Sequence, residues 1–201
     1  MSVEVRQATV EDREELVRLI HEAFRDDPVS RWVFPDPTEL HRAHARFLGV
    51  FLDLALAVGR VDVTEDGSAA ALWFTRKPGA AGEGDVDDET GARLMAIAGR
   101  SRARAETVGR LTDEVHPHER SHEYLQLIAV SPQHQGQGRG TALLAPALER
   151  CDQGGVPAYL EASNPGSRRL YERLGFTFTG TAVHLPDGPV MWPMWREPRG
   201  R

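Results

Sequence analysis

A glycine-rich turn follows an apolar stretch in the second half of the chain, and it is the pattern with the clearest chemical meaning. The apolar stretch is Leu127–Val130, and Gly136, Gly138 and Gly140 alternate in the turn that follows it. Glycine lets a backbone approach a ligand closely, and the free N–H groups at the start of a helix favour an anion. The turn therefore predicts a binding site for a phosphate or a pyrophosphate.

The spacing of these glycines separates the known kinds of phosphate-binding turn. A dinucleotide-binding turn needs a glycine where Thr141 stands, and no Gly-Lys-Ser/Thr sequence follows for a nucleotide P-loop. The pattern that remains is Gln135-x-x-Gly138-x-Gly140. A tight strand-to-helix turn without a ligand is the alternative interpretation.

That pattern resembles the coenzyme A (CoA) pyrophosphate loop of the GCN5-related N-acetyltransferase (GNAT) family. A second segment, from Asn164 through Tyr171 to Gly175-Phe176, resembles a later signature of the same family. The resemblance is closest over Tyr124–Thr177, which is similar to the puromycin N-acetyltransferases and related actinobacterial acetyltransferases. It implies direct transfer of an acetyl group from acetyl-CoA to the amine of a small molecule. Antibiotic-like amines are among the acceptors that the resemblance implies.

The resemblance also implies roles for particular residues on the donor side. The N–H of Ile128 is expected to stabilise the oxygen of the thioester. Tyr171 is expected to protonate the departing thiolate of CoA, with a packing tyrosine as the alternative. The residues expected to contact acetyl-CoA are Ile128, Ala129, Val130, Gln135, Gly136, Gln137, Gly138, Arg139, Gly140, Thr141, Asn164, Ser167, Arg168 and Tyr171.

The general base is a role that the resemblance leaves open. Family members that use a glutamate often carry it four residues before the oxyanion donor, where this chain has Tyr124. We rank Glu161 first and His122 second as substitutes, with Glu123 as a further candidate. The alternatives are a hydrogen-bonding carboxylate at a strand end for Glu161 and a surface histidine for His122.

The acceptor site of this family usually lies between the first helical region and a closing hairpin, which is predicted here over 176–195. The candidates there are Asp26, Asp27, Trp32, Phe34 and Trp192. Carboxylates beside aromatic rings suit a cationic amine, although exposed loop residues without a specific role are the alternative. Two other functions stay open at this stage: a protein or peptide N-acetyltransferase, and a catalytically silent acyl-CoA-binding sensor.

Three histidines and one cysteine also required an interpretation. His116, His118 and His122 match no zinc-binding spacing, so we expect a solvated loop and no metal. Cys151 has no basic or histidine neighbour in sequence, which favours a structural role over a covalent acetyl-cysteine.

Composition limits the class of protein. The chain has 201 residues, which suits one domain over 1–201. A formal net charge of −6 and a pI near 5.8 disfavour nucleic acid as a partner. A single cysteine allows no internal disulfide. The charged first residues and the lack of an apolar run of about 18 residues predict a cytoplasmic protein with no membrane partner, as a monomer or homodimer.

Alternating and helical patterns predict the elements that position these residues. The predicted strands are 3–8, 60–63, 69–74, 123–130, 158–161, 176–183 and 190–195. The predicted helices are 9–24, 38–59, 89–115, one from the glycine turn to 151, and one that follows the strand 158–161 and ends at 174. The segment 25–37 is predicted to be an irregular loop and 78–88 a mobile connection. The fold class is α/β (α+β mixed sheet), which the resemblance refines to a mostly antiparallel, splayed sheet flanked by helices.

Overall fold

A mixed sheet forms the centre of the molecule in the computed structural model, which describes residues 3–79 and 87–200. Its strands are β1 (Val5–Gln7), β2 (Arg60–Thr64), β3 (Ala69–Arg76), β4 (His122–Val130), β5 (Ala158–Ala162), β6 (Thr177–Phe178), β7 (Val183–His184) and β8 (Val190–Arg196). Their spatial order is β1-β2-β3-β4-β5-β8-β6, and β7 also pairs with β8. All neighbours are antiparallel except β4 and β5, which run parallel. The predicted fold class is confirmed.

Helices cover both faces of this sheet. They are α1 (Arg13–Phe24), α2 (Pro28–Val33), α3 (Pro37–Val58), α4 (Asp88–Ala98), α5 (Arg102–Asp113), α6 (Arg139–Gly154) and α7 (Pro165–Arg173). Strand β3 shows how the faces divide, because successive side chains of a strand point to opposite sides. Ala69, Ala71 and Trp73 pack in the cluster that contains α6, whereas Ala70 and Leu72 pack in the cluster that contains α1 and α3.

Two predictions about helices were wrong, and each error has a local cause. The segment predicted to be an irregular loop contains α2, because Pro28 occupies the first turn and the Asp27 carboxylate accepts the backbone N–H groups of Val29 and Ser30. The single helix predicted over 89–115 is two helices, because Gly99 adopts a φ of 55° between α4 and α5.

Smaller corrections concern boundaries. Thr9 caps a 3₁₀ turn over Val10–Asp12, and α1 begins only at Arg13. The first strand of the closing hairpin is divided into β6 and β7, which pair with different parts of β8. The connection predicted over 78–88 lies mostly outside the described residues. Within the described ranges, no helix is both long and apolar enough to cross a membrane.

Candidate active site

Strands β4 and β5 diverge and leave a gap in the sheet. They pair only at Glu123–Ala158 and Tyr124–Tyr159, although β4 continues to Val130. The other edge of β4 stays paired with β3 from His122 to Val130, apart from a register shift at Gln126. From Leu125 onward, within the described chain, β4 therefore presents one unpaired edge toward the gap.

The register of β3 and β4 determines which backbone groups point into that gap. Ser131 N–H donates to Ser68 O across the pair (2.8 Å), so these two residues form a hydrogen-bonded pair. Hydrogen-bonded and non-hydrogen-bonded positions alternate along antiparallel strands, and the register is regular from Ala69–Val130 to Leu72–Leu127. Ile128 and Val130 are therefore non-hydrogen-bonded with respect to β3. Their N–H and C=O groups point toward the gap.

The glycine turn closes one end of the gap. Gly136 and Gly138 have φ angles of 73° and 79°, which side-chain-bearing residues rarely adopt, and Gly138 is the N-cap of α6 without a side-chain hydrogen bond. A Cβ at Gly140 would lie 3.1 Å from Leu170 Cδ2, so glycine lets α6 pack against α7 there. Gln135 Nε2 donates to Val130 O (3.2 Å) and ties the turn to the end of β4. The backbone at the start of α6 suits a pyrophosphate.

One cavity of about 1470 Å³ joins the glycine turn, the gap and the helices α1–α5. Pockets for a single ligand usually have volumes of roughly 300–1,000 Å³, so this cavity has room for two reactants. The expected donor-site residues on its wall are Ile128, Val130, Gln135, Gly136, Gly138, Arg139, Gly140, Thr141, Asn164, Ser167 and Tyr171. Ala129, Gln137 and Arg168 are not on this wall; Ala129 packs in the core, and Arg168 lies over the Phe178 and Trp192 rings.

Residues of the α7 segment combine local structure with exposure to the cavity. Asn164 caps α7 by accepting the Ser167 N–H (2.9 Å), and the Ser167 hydroxyl donates back to Asn164 O. The Tyr171 ring is buried against Phe176, and burial together with the charge of Asp27 raises the pKa of Tyr171. Tyr171 therefore stays a protonated phenol at neutral pH.

Glu161 is a buried carboxylate on the same cavity wall. Its Oε2 accepts a hydrogen bond from the Tyr124 hydroxyl (2.8 Å), while its Oε1 is buried without a hydrogen-bond partner among the described residues. The side chain is only 4% exposed, and His116 Nδ1 lies 3.9 Å from Oε1. Burial and the Glu161 charge raise the pKa of Tyr124 well above its usual value, so this phenol remains a donor. One oxygen of Glu161 is thus oriented by Tyr124, and the other is buried beside His116; burial, the Glu161 charge and a hydrogen bond to Glu161 also raise the pKa of Tyr159.

The interpretation of the histidines as a solvated loop is wrong for two of them. His122 is 1% exposed, and burial lowers its pKa to about 4. His116 contacts the rings of Tyr124 and Tyr159 edge-on at 4.9 Å, whereas His118 is exposed. Burial by β4, β5 and β8 cannot be read from the spacing of histidines. Among the described residues, no group of three or more His, Cys, Asp or Glu side chains could hold a metal ion.

The five candidates for acceptor binding divide into two groups. Asp27 and Phe34 line the cavity; Asp27 accepts a hydrogen bond from Ser163 Oγ (2.5 Å), and burial raises its pKa. Asp26 is exposed and pairs with Arg31, and Trp32 donates to Pro186 O. Asp26, Trp32 and Trp192 are not on the described wall of the cavity.

Sequence reasoning missed the apolar part of the wall. It is formed by Phe24, Val33, Phe47, Leu48, Phe51 and Met95, together with the buried His44. The residues from α1 and α3 follow helical spacing, which indicates a core face and carries no sign of a ligand. Cys151 is buried away from the described wall, and burial raises its pKa to about 11, so it is a thiol at neutral pH.

Comparisons with known proteins agree with this architecture. Residues 87–176 match the model of the Acetyltransferase (GNAT) family. Curated relatives include an acetyltransferase of Agrobacterium fabrum, 39% identical over 38% of this chain and 55% of that protein, and an uncharacterised N-acetyltransferase of Schizosaccharomyces pombe, 42% identical over 27% of this chain and 22% of that protein. The chain thus spans less than two thirds of the length of these relatives.

Solved structures match over nearly the whole chain. One is a structure from Corynebacterium glutamicum described as "histone acetyltransferase HPA2 and related acetyltransferase". It is 29% identical, with a TM-score of 0.70 over 100% of this chain and 99% of that one. A polyamine N-acetyltransferase of Drosophila melanogaster is 18% identical, with a TM-score of 0.61 over 97% and 99%, and shows similarity of fold alone. The family match over 87–176 and the first structure show that the chain is similar to GNAT acetyltransferases.

Proposed function

We propose that this chain is an N-acetyltransferase that moves the acetyl group of acetyl-CoA directly to the amine of a small molecule. The observation that carries the proposal is a cavity that joins three features: the glycine turn, the open edge of β4, and Glu161, whose buried Oε1 has no hydrogen-bond partner among the described residues. The first two suit the donor, and the third suits an amine that must lose a proton. The matches to the GNAT family support the same reaction.

The residues on the donor side fit acetyl-CoA. The N–H groups at the start of α6 would bind the pyrophosphate, and the backbone of Ile128 and Val130 would hydrogen bond with the pantetheine arm in the gap. Acetyl-CoA supplies a thioester whose carbonyl carbon the amine attacks. The Ile128 N–H would stabilise the negative charge on that carbonyl oxygen, an effect worth about 10²- to 10³-fold for one good donor.

Two side chains would handle the protons of the transfer. Glu161 Oε1 would accept the proton of the amine, held in position by the Tyr124 hydroxyl on Oε2. As the new C–N bond forms and the C–S bond breaks, Tyr171 would donate its proton to the sulfur. Glu161 thus takes the role of base that we ranked first from sequence, and Tyr124 orients it.

The wall of the acceptor half favours an amine with an apolar or aromatic body. Phe24, Phe34, Phe47 and Phe51 line this half, whereas a buried carboxylate, Asp27, offers a second site for a cation. Proteins of similar fold include arylalkylamine and polyamine N-acetyltransferases, which mark two classes of amine to test. Antibiotic-like amines, suggested by the narrower resemblance to puromycin acetyltransferases, form a third class. The cytoplasmic location and the monomeric or homodimeric state stay predictions from sequence.

The test is release of CoA thiol from acetyl-CoA in the presence of arylalkylamines, polyamines, puromycin, aminoglycosides and peptides. Glu161→Gln should reduce kcat by about 10²-fold or more with little change in CoA affinity. Glu14→Gln, an exposed glutamate on α1, is the matched control and should change neither quantity.

Each other outcome rejects a stated part of the proposal. Acetylation of peptides alone would replace the small-molecule acceptor with a protein substrate. Tight acetyl-CoA binding without acetylation of any amine would favour the silent sensor. A chain that does not bind acetyl-CoA would refute the donor site.

A further inference from the structure

A pair of histidines lies behind Glu161, on the side away from Tyr124's hydrogen bond. His116 Nδ1 is 3.9 Å from Glu161 Oε1, and His116 Nε2 is 3.1 Å from His122 Nε2. His122 Nδ1 in turn lies 2.7 Å from the backbone oxygen of Arg120. These distances connect the available oxygen of Glu161 to a backbone carbonyl through two imidazole rings.

Hydrogen-bond chemistry fixes the tautomer of both rings. The Arg120 carbonyl can only accept, so His122 Nδ1 must carry a hydrogen. Burial lowers the pKa of His122 to about 4, so the ring is neutral near pH 7 and its Nε2 has only a lone pair. His116 Nε2 must then donate the hydrogen of the 3.1 Å contact. Nδ1 is then the remaining ring nitrogen of His116, and it faces Glu161.

The Nδ1 atom of His116 and the Oε1 atom of Glu161 therefore face each other without a hydrogen bond. Their separation is about 1 Å longer than a hydrogen bond. A proton placed between them would convert the contact into a charge-assisted hydrogen bond after a small rotation of either side chain. The proposed reaction releases such a proton from the acceptor amine.

We propose that Glu161 and His116 form a shared proton-accepting pair, with His122 and the Arg120 carbonyl fixing the tautomer of His116. This inference rests on the proposed function. An N–H bond of the acceptor ammonium breaks, its proton passes to Glu161 Oε1 and then to His116 Nδ1, and the amine keeps the electron pair that attacks the thioester. The pair becomes a carboxylate beside an imidazolium. The proton returns to water through the cavity, which His116 also lines.

Other charged or titratable groups surround this pair. The phenols of Tyr124 and Tyr159 contact the His116 ring, His118 lies 5.3 Å from it, and the Arg76 guanidinium lies 5.4 Å from the centre of the Tyr124 ring. Burial, the Glu161 charge and a hydrogen bond to Glu161 raise the pKa of both tyrosines, so they stay neutral. His118 is exposed and bonds to Asp113 O. A variant of His116 changes the pair without removing any of these groups.

The test is the pH dependence of kcat/KM for His116→Gln, measured with the amine identified above. Glutamine cannot accept the proton, so Glu161 alone becomes a weaker base. We expect the acidic limb of the profile to move to lower pH by about one to two units, and kcat to fall by about tenfold or more. KM for acetyl-CoA and the unfolding temperature should change little. His184→Gln, an exposed histidine on β7, is the control for loss of an imidazole.

A second variant keeps the inference testable if His116→Gln does not fold. His122→Phe retains a ring against Tyr159 and Trp195 but removes the acceptor for His116 Nε2–H. We expect a lower kcat with the acidic limb in place, because the pair remains and only its tautomer is released. A wild-type pH profile and kcat in His116→Gln, or a wild-type kcat in His122→Phe, would overturn the shared pair.

Glu161→Gln separates this inference from the proposed function. If Glu161→Gln is inactive and His116→Gln behaves like the wild type, only the shared pair fails. If Glu161→Gln retains full activity, the assignment of the base itself fails and the pair fails with it.

Discussion

Replacing Tyr124 with phenylalanine tests how Glu161 is oriented. The change removes one hydroxyl, which donates to Glu161 Oε2 at 2.8 Å, and keeps the ring that packs against His116 and Tyr159. A hydrogen bond to a charged group contributes about 1.5–3 kcal/mol. Since 1.36 kcal/mol corresponds to one unit of pH, the acidic limb of the kcat/KM profile should move up by about one to two units. The direction is opposite to that expected for His116→Gln.

The assay is kcat/KM against pH, with acetyl-CoA affinity and thermal unfolding measured on the same samples. Thr75→Val is the matched control, because the Thr75 hydroxyl donates at 2.8 Å to a different carboxylate, Glu123. Glu123 is half-buried and does not line the described cavity, so this variant should keep the wild-type limb. A limb that stays in place in Tyr124→Phe, or moves to lower pH, refutes the assignment of Glu161 as the base. A shift in Thr75→Val would move that role to Glu123.

Three further variants test the donor side and the fold. Tyr171→Phe should lower kcat by about 10²-fold without weakening acetyl-CoA binding, as seen in steady-state kinetics and calorimetry; unchanged kcat would make Tyr171 a packing residue. Gly138→Ala should raise KM for acetyl-CoA. A side chain at a φ of 79° costs about 1–2 kcal/mol, although no other atom lies within 4 Å of the added Cβ. The control is Gly67→Ala, at a φ of 65°, which should lower stability alone. Asp152→Asn breaks a pair with Arg196, which is 3% exposed, and should destabilise the chain by about 1–3 kcal/mol. Arg196 lowers the pKa of Asp152, so the contribution of this pair to the stability of the folded state is complete above pH about 3.9 and is lost as pH falls below it. Equal stability of variant and wild type in urea at pH 7 would contradict the prediction.

Elements with strong local signals were predictable from sequence. The strands predicted over 60–63 and 69–74 flank Asp66-Gly67, and β2 and β3 pair antiparallel around this turn. The glycine turn after β4 was predicted as the start of a helix, and α6 begins there with Gly138 as N-cap. Asp27-Pro28 carried an equally local signal for α2 that the loop prediction overlooked. Such features depend on residues a few positions apart, so spacing is sufficient to find them.

The environment of Glu161 depended on tertiary structure. Sequence reasoning ranked Glu161 first as base and treated Tyr124 as a broken position, yet the fold brings their side chains to 2.8 Å across β4 and β5. It treated His116 as solvated, whereas the packing of three strands buries the ring beside that carboxylate. Tyr124 and His116 lie 37 and 45 positions before Glu161, and strand pairing brings them together. The spacing of residues along the sequence shows neither their hydrogen-bond distance nor their burial.

The sequence by itself determined the chemistry that is available: a glycine turn with open N–H groups, a tyrosine near a helix end, and a carboxylate at the end of a strand. These follow from residue types and local order. Only the tertiary structure decided which side chains face one cavity. The parallel strands β4 and β5 separate after two residue pairs, and residues of β4, β5 and α7 line the gap between them. That divergence leaves Ile128 and Val130 without a strand partner on the β5 side and places Glu161, Tyr171 and His116 around the same space.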